Sequence, residues 1–267
     1  MSRMLAILRS LVYTVLQIVI TPPYAIFTLS CFWLPPHQRY QVTYGWTRIM
    51  LFLLKTICGL HYRIIGAEHI PKQPSIVLSK HQSAWETLAF QQIFPPQVWV
   101  LKKELLRIPF FGWGLAMTSP IAIDRGSGKK ALQQIVDQGK DRLAQQFWIV
   151  IFPEGTRIPP GHIGKYHIGG AWLATHTGAL VVPVAHNAGE FWGKNSFVKN
   201  PGTITVSIGK PIDPAGLEAG ELNDQVKAWI EAEVSRISQF KKIEKQNEDS
   251  GNTCSTSKQS NASHRSK

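Results

Sequence analysis

The sequence predicts an α/β fold: a mostly parallel sheet covered by helices, preceded by an N-terminal membrane-associated helical hairpin. Three observations point there. From about residue 61 to 240, short β-rich runs alternate with helical ones. No Lys, Arg, Asp or Glu stands between Arg9 and Arg39, a gap of 29 residues. Residues 1–67 carry six basic residues (Arg3, Arg9, Arg39, Arg48, Lys55 and Arg63), and the first acid is Glu68.

The apolar start comes first. A helix rising about 1.5 Å per residue needs roughly 20 apolar residues to cross a bilayer, so the uncharged gap is long enough. Pro22 and Pro23 interrupt it, which predicts two arms, 5–20 and 24–34, around a kink. Both flanks are basic, as expected of an interfacial or re-entrant hairpin whose ends share one face. Residues 40–60, with Trp46, Arg48 and Lys55, predict an amphipathic helix at the membrane surface. No small-x-small site follows the apolar run, which argues against a cleaved signal peptide.

Strands are predicted at 62–65, 75–78, 98–101, 120–123, 148–152, 180–184 and 203–208, several continuously apolar and hence buried on both faces. Helices are predicted at 85–93, 129–146, 170–176 and 221–240, the second opening near Ser127 as N-cap. The domain plan is a membrane-anchoring segment 1–60, an α/β domain 61–240 and a polar, disordered tail 241–267.

Composition excludes several classes. Of 267 residues 44% are hydrophobic and 17% charged, too apolar for a disordered chain, and 21 Gly with 17 Pro exclude a coiled coil. Three cysteines, Cys31, Cys58 and Cys254, make neither a disulfide framework nor a zinc pattern. Gly126-Ser127-Gly128-Lys129-Lys130 lacks the leading Gly and trailing Ser/Thr of a phosphate loop. The net charge of +12 is not interleaved with aromatics, so no nucleic acid partner is expected.

Ligands of open α/β sheets bind beyond the carboxyl ends of strands. Three such ends carry chemistry: Lys80-His81-Gln82-Ser83-Ala84-Trp85-Glu86, Asp124-Arg125-Gly126, and Pro153-Glu154-Gly155-Thr156-Arg157. If a helix begins between His81 and Glu86, the carboxylate can fold back onto Nδ1 and leave Nε2 as a base. Taken alone, the pair fits equally a hydrogen-bonded turn histidine and a first-turn acid favoured by the helix dipole. Arg157 offers a bidentate fork for a phosphate, or a surface salt bridge to Glu154. Arg125 and Lys102 add positive charge at strand ends. Residues 109–114 read as a membrane-surface apolar loop or as core.

Lys80-His81-Gln82-Ser83-Ala84-Trp85-Glu86, Ile121-Ala122-Ile123-Asp124-Arg125, Phe152-Pro153-Glu154-Gly155-Thr156-Arg157 and Val181-Val182-Pro183-Val184 resemble, in order and approximate spacing, the four blocks of the glycerolipid acyltransferases. The chain looks closest to the 1-acyl-sn-glycerol-3-phosphate acyltransferases. The resemblance spans about residues 60–214 and implies acyl transfer to the sn-2 hydroxyl of lysophosphatidate, giving phosphatidate without a covalent acyl-enzyme. It implies His81 as base and Glu86 as the group orienting it. Arg125, Arg157 and Lys102 would hold the phosphate, and Glu154, Gly155 and Thr156 would complete the acceptor pocket. The donor would be acyl-CoA or acyl carrier protein, with no metal or cofactor. The catalytic domain would lie at the cytoplasmic face of a membrane, the inner membrane in a bacterium. Alternatives are another acceptor, such as glycerol 3-phosphate or a lyso-ornithine lipid, or a non-catalytic module binding anionic lipid. The family's first block usually ends in Asp, where this chain has Glu86; a longer arm keeps the chemistry, and Glu86→Asp is expected to be tolerated.

Overall fold

The computed structural model describes residues 3–239; the side chains of Phe111 and Arg125 are not described, and the tail predicted at 241–267 lies outside the described residues. In chain order the elements are α1 (Arg3–Ser30), α2 (Pro36–Cys58), β1 (Leu60–Ile65), β2 (Ile76–Ser79), α3 (Trp85–Ile93), β3 (Gln97–Lys102), α4 (Phe111–Ala116), β4 (Ile121–Ile123), α5 (Lys129–Ala144), β5 (Trp148–Ile151), α6 (Gly169–Thr177), β6 (Val181–His186), β7 (Gly202–Ile208) and α7 (Ala219–Ile237).

The seven strands form one sheet in the order β1-β7-β6-β2-β5-β3-β4. Every pair is parallel except β6 with β7. The all-buried runs Ile-Val-Leu-Ser of β2 and Trp-Ile-Val-Ile of β5 take the centre, where both faces are covered. Two cores result, one on each face. Val77, Trp99, Leu101 and Val150 pack with residues of α2 and α3, whereas Ile76, Ile121, Ile123 and Ile149 pack with residues of α5, α6 and α7. Because β2, β3, β4, β5 and β6 share one direction, their carboxyl ends meet along one edge.

The hairpin departs from expectation. α1 continues through Pro22 and Pro23 to Ser30, and the reversal falls at residues 31–35, between α1 and α2. The prolines remove two N–H donors, but α2 clamps both sides of the break. Trp46 Nε1 donates to Thr21 Oγ1 at 3.3 Å, and Tyr24 Oη donates to the Val42 carbonyl at 2.7 Å. Residues 109–114, expected as loop or core, contribute to the short helix α4, which packs on α1. The cap of α5 is Gly128 rather than Ser127, whose hydroxyl donates to the Asp124 carbonyl.

α1 is an inside-out helix. Its buried residues are Ala6, Ser10, Tyr13, Ala25 and Thr28, small or polar, while Met4, Leu8, Val15, Ile18, Val19 and Phe27 are exposed. The inward stripe docks on the α/β domain. Ser10 Oγ accepts the Lys199 backbone N–H at 2.9 Å, and Lys199 Nζ lies 5.0–5.2 Å from the rings of Tyr13, Trp192 and Phe197, within cation–π reach. Arg3–Ser30 is long and apolar enough to cross a membrane, with 17% of its most apolar window buried in the protein.

Candidate active site

The chain between β2 and α3 is closed by one carboxylate. Glu86, fully buried in the first turn of α3, folds back so that its Oε1 accepts the N–H groups of Gln82 and Ser83 at 2.9 and 2.8 Å. The same oxygen takes His81 Nδ1 at 2.8 Å. A carboxylate can only accept, so Nδ1 carries the proton and Nε2 is left with a lone pair. Burial works against the charge on Glu86, but the imidazoles of His186 and His81 and the Ser83 N–H hold its carboxyl below the usual value.

His81 is fixed from every side. Its ring stacks on Phe152 with centroids 3.9 Å apart and planes within 10°. Its backbone N–H donates to Glu154 Oε2 at 2.9 Å, and its carbonyl accepts the Ile158 N–H at 2.8 Å. The loop after β5 therefore positions the histidine through its main chain. Gly155 makes this possible: its φ of 64° is one that L side chains rarely adopt, and its N–H closes a turn on the Phe152 carbonyl at 3.0 Å.

Glu154 does something other than line a pocket, and it does not bridge to Arg157. It is buried, and its Oε1 accepts from Lys80 Nζ at 2.7 Å. Lys80, with no exposed surface, also donates to Glu231 Oε1 of α7 at 2.8 Å and to the His162 carbonyl at 3.3 Å. Tyr166 Oη donates to the same Glu231 oxygen at 2.8 Å. Burial pushes the Glu154 carboxyl above its usual value, with Lys80 and the His81 N–H pulling the other way.

A cavity of about 380 Å³ opens in front of His81. Its apolar walls include Tyr24 and Ala25 of α1, Trp46 of α2, Trp99 and Leu101 of β3, and Leu115 of α4. His81, Gly155, Arg157 and Lys102 also line it. Lys102 and Arg157 make no ion pair among the described residues, which leaves both heads for a ligand. Of the remaining sequence candidates, Thr156 is exposed and accepts from Lys194 Nζ at 3.3 Å, away from the cavity lining. The Arg125 side chain is not described; its backbone begins a 3₁₀ turn after Asp124, which pairs with Lys103 at 2.5 Å.

A family model for acyltransferases matches residues 61–187, the span that holds His81, Glu86 and the Glu154–Arg157 loop. The chain is 46% identical, over 209 residues, to the 1-acyl-sn-glycerol-3-phosphate acyltransferase of Pseudomonas aeruginosa, covering 77% of this chain and 81% of that one. It belongs to the acyltransferase family. The enzyme of the same name from Saccharomyces cerevisiae is 29% identical over 195 residues, 67% of this chain and 62% of that one. The fold is that of the crystal structure of the 1-acyl-sn-glycerophosphate (LPA) acyltransferase from Thermotoga maritima: TM-score 0.71 at 22% identity, over 87% of this chain and 96% of that one.

Sequence reasoning missed three residues of this acyltransferase. His186, at the end of β6, is fully buried; its Nε2 donates to the Lys80 carbonyl at 2.8 Å and lies 3.9 Å from Glu86 Oε1. Its Nδ1 accepts the Ala188 N–H at 3.3 Å, and burial lowers its pKa below the usual value. The strand-end rule that singled out His81 would have found it one strand over. Lys80 carried no role beyond its place in the first block, and Glu231, 151 residues from Lys80, gave no local signal.

Proposed function

We propose that this acyltransferase moves a fatty acyl group from a thioester to the sn-2 hydroxyl of lysophosphatidate, giving phosphatidate. The observation that carries the reading is the Glu86–His81 pair, whose histidine keeps Nε2 free of its carboxylate and lines a largely apolar cavity that Arg157 and Lys102 line too. His81 Nε2 takes the hydroxyl proton as the oxygen attacks the thioester carbonyl. The C–S bond then breaks, and His81 returns the proton to the leaving thiolate. Glu86 stabilises the imidazolium formed between these steps.

Direct transfer is supported by the neighbours of His81. Ser79 and Ser83 are fully buried; the Ser79 hydroxyl donates to the Lys80 carbonyl, and Ser83 Oγ accepts the Trp85 N–H. Neither is presented as a nucleophile. Arg157 and Lys102 supply the charge that selects a phosphorylated acceptor. The apolar walls suit fatty chains.

The outward apolar face of α1, with exposed Phe32 and Trp33 at the hairpin turn and Phe110 and Trp113 beside it, forms the membrane contact. Residues 3–58 thus act as the anchoring unit and 60–237 as the catalytic unit, lying at the cytoplasmic face where the thioester donor, acyl-CoA or acyl carrier protein, is soluble.

The test is an acceptor panel with purified protein, measuring thiol release and product mass. Lysophosphatidate should be the best acceptor, ahead of glycerol 3-phosphate and a lyso-ornithine lipid. Equal rates on the unphosphorylated acceptor would overturn the phosphate assignment. Arg157→Ala should raise KM for lysophosphatidate by about 10- to 100-fold, the equivalent of one charge-assisted hydrogen bond, with a smaller effect on kcat.

A further inference from the structure

A second cavity, about 250 Å³, lies against the first. Val100, Phe152 and Gly155 line both. Beyond that common wall the two part company across the sheet. The first is walled by Trp99 and Leu101, members of the core under α2 and α3. The second is walled by Ile123, Ile135 and Ile151, members of the core under α5 and α6. They straddle the carboxyl edge of β3 and β5 and meet at the ring of Phe152, on which His81 stacks.

An acyl thioester diverges from its reacting carbon into two unlike arms. One is a hydrocarbon chain. The other begins at sulfur and continues as a thin chain of two amides ending in a phosphate. The first cavity suits the hydrocarbon. The second offers a smaller space lined partly by the backbone of Gly128, Gly169 and Gly170 and by His167, polar groups suited to amides. Three exposed lysines lie next to its lining residues in sequence: Lys129 and Lys130 directly after Gly128, and Lys165 two residues before His167. None makes an ion pair among the described residues. Positive charge on residues adjoining the lining suits a phosphate and opposes the entry of a second fatty tail.

We propose that this second cavity is the subsite for the phosphopantetheine arm of the acyl donor, which crosses the sheet edge over Gly155 so that the thioester carbon lies beside His81. The inference rests on the thioester chemistry proposed above and adds where the sulfur side of the donor goes. Free coenzyme A and a carrier protein present the same arm. Past the phosphate they diverge, the one into a nucleotide and the other into an acidic protein surface.

Calorimetric titration of the full chain in detergent micelles with non-reactive S-alkyl thioethers tests this without any acceptor. Leu132, half-buried on α5, lines only the second cavity. Leu132→Trp should weaken alkyl-coenzyme A and alkyl-phosphopantetheine at least tenfold and leave lysophosphatidate within twofold. The double variant Lys129→Glu/Lys130→Glu, on the surface and so without a folding risk, should weaken alkyl-coenzyme A or alkyl-carrier protein at least fivefold and spare uncharged alkyl-pantetheine. Whichever charged donor loses more is the source. The proposal is overturned if Leu132→Trp shifts lysophosphatidate affinity or alkyl-length preference instead, or if the lysine pair changes no donor's affinity. Protein that binds the thioethers as expected but fails to acylate lysophosphatidate would overturn the acceptor assignment and leave the arm's subsite standing.

Discussion

Lys80 and His81 are consecutive residues at the end of one strand, and they serve opposite environments. Lys80 turns into a sealed cluster with Glu154, Glu231 and Tyr166; His81 turns toward a cavity with 14% of its side chain exposed. Both regions pair a base with a carboxylate at hydrogen-bond distance. In the first, one ammonium is shared between two fixed carboxylates and no donor of it is left for a ligand. In the second, one nitrogen is held and the other is left available. Identical chemistry thus yields scaffold or reactivity according to which atom stays uncommitted. The two are joined, because Glu154 commits one oxygen to Lys80 and the other to the His81 backbone.

The sharpest way to separate them is to remove the reactive side alone. His81→Ala should lower kcat by about a hundredfold to ten-thousandfold while the unfolding midpoint and vesicle association stay unchanged; retained turnover would refute the base assignment. Removing the scaffold side should reverse that signature. Lys80→Met leaves two carboxylates buried without their cation, a change that costs about 3–5 kcal/mol of stability, measurable by urea unfolding. Activity per folded molecule should fall much less than in His81→Ala.

Smaller effects probe the links. Glu86 Oε1 receives three N–H donors at 2.8–2.9 Å, a convergence that a shorter arm cannot reach without moving α3. Glu86→Asp should therefore cost about tenfold in kcat, the equivalent of one lost hydrogen bond, a larger loss than the tolerance expected from the sequence alone. Glu86→Ala should cost clearly more. The smallest effect belongs to His186. Its folded pKa lies below the ordinary value of about 6.5, so its contribution to stability is complete above that pH and is lost as pH falls toward the folded value. Glu86 is also lowered, but as a carboxylate it matters only below about pH 4.3. Between pH 7 and pH 5, then, His186→Gln should lose less stability than the natural chain; an identical decline in both would remove His186 from the account.

What could be read in advance divides along the same line. Short apolar runs set off by Gly and Pro revealed the strands, because a strand buried on both faces has no polar alternation to hide it. The contact between His81 and Glu86 was legible because the pair is local, with the carboxylate one helical turn from the strand end. Lys80 and Glu231 were not, since a buried ion pair between distant residues has no signature until the sheet brings them together. The hairpin was misplaced for a related reason. Pro22 and Pro23 do weaken the helix locally, but Trp46 and Tyr24 supply the tertiary contacts that carry it on to Ser30.

The anchor has one more consequence. Thr21, Tyr24, Ala25 and Thr28 of α1 are wall as well as tether, since they line the cavity in front of His81. A chain shortened to begin at α2 would lose part of the wall of that cavity along with a helix long and apolar enough to cross a membrane. Adding detergent or a foreign tether would restore neither the missing wall nor the shape of the space it encloses. Where the enzyme resides and what fits inside it are therefore inherited together, and a substitution on the inner stripe of α1 can alter chain selection from a segment that looks like mere packaging.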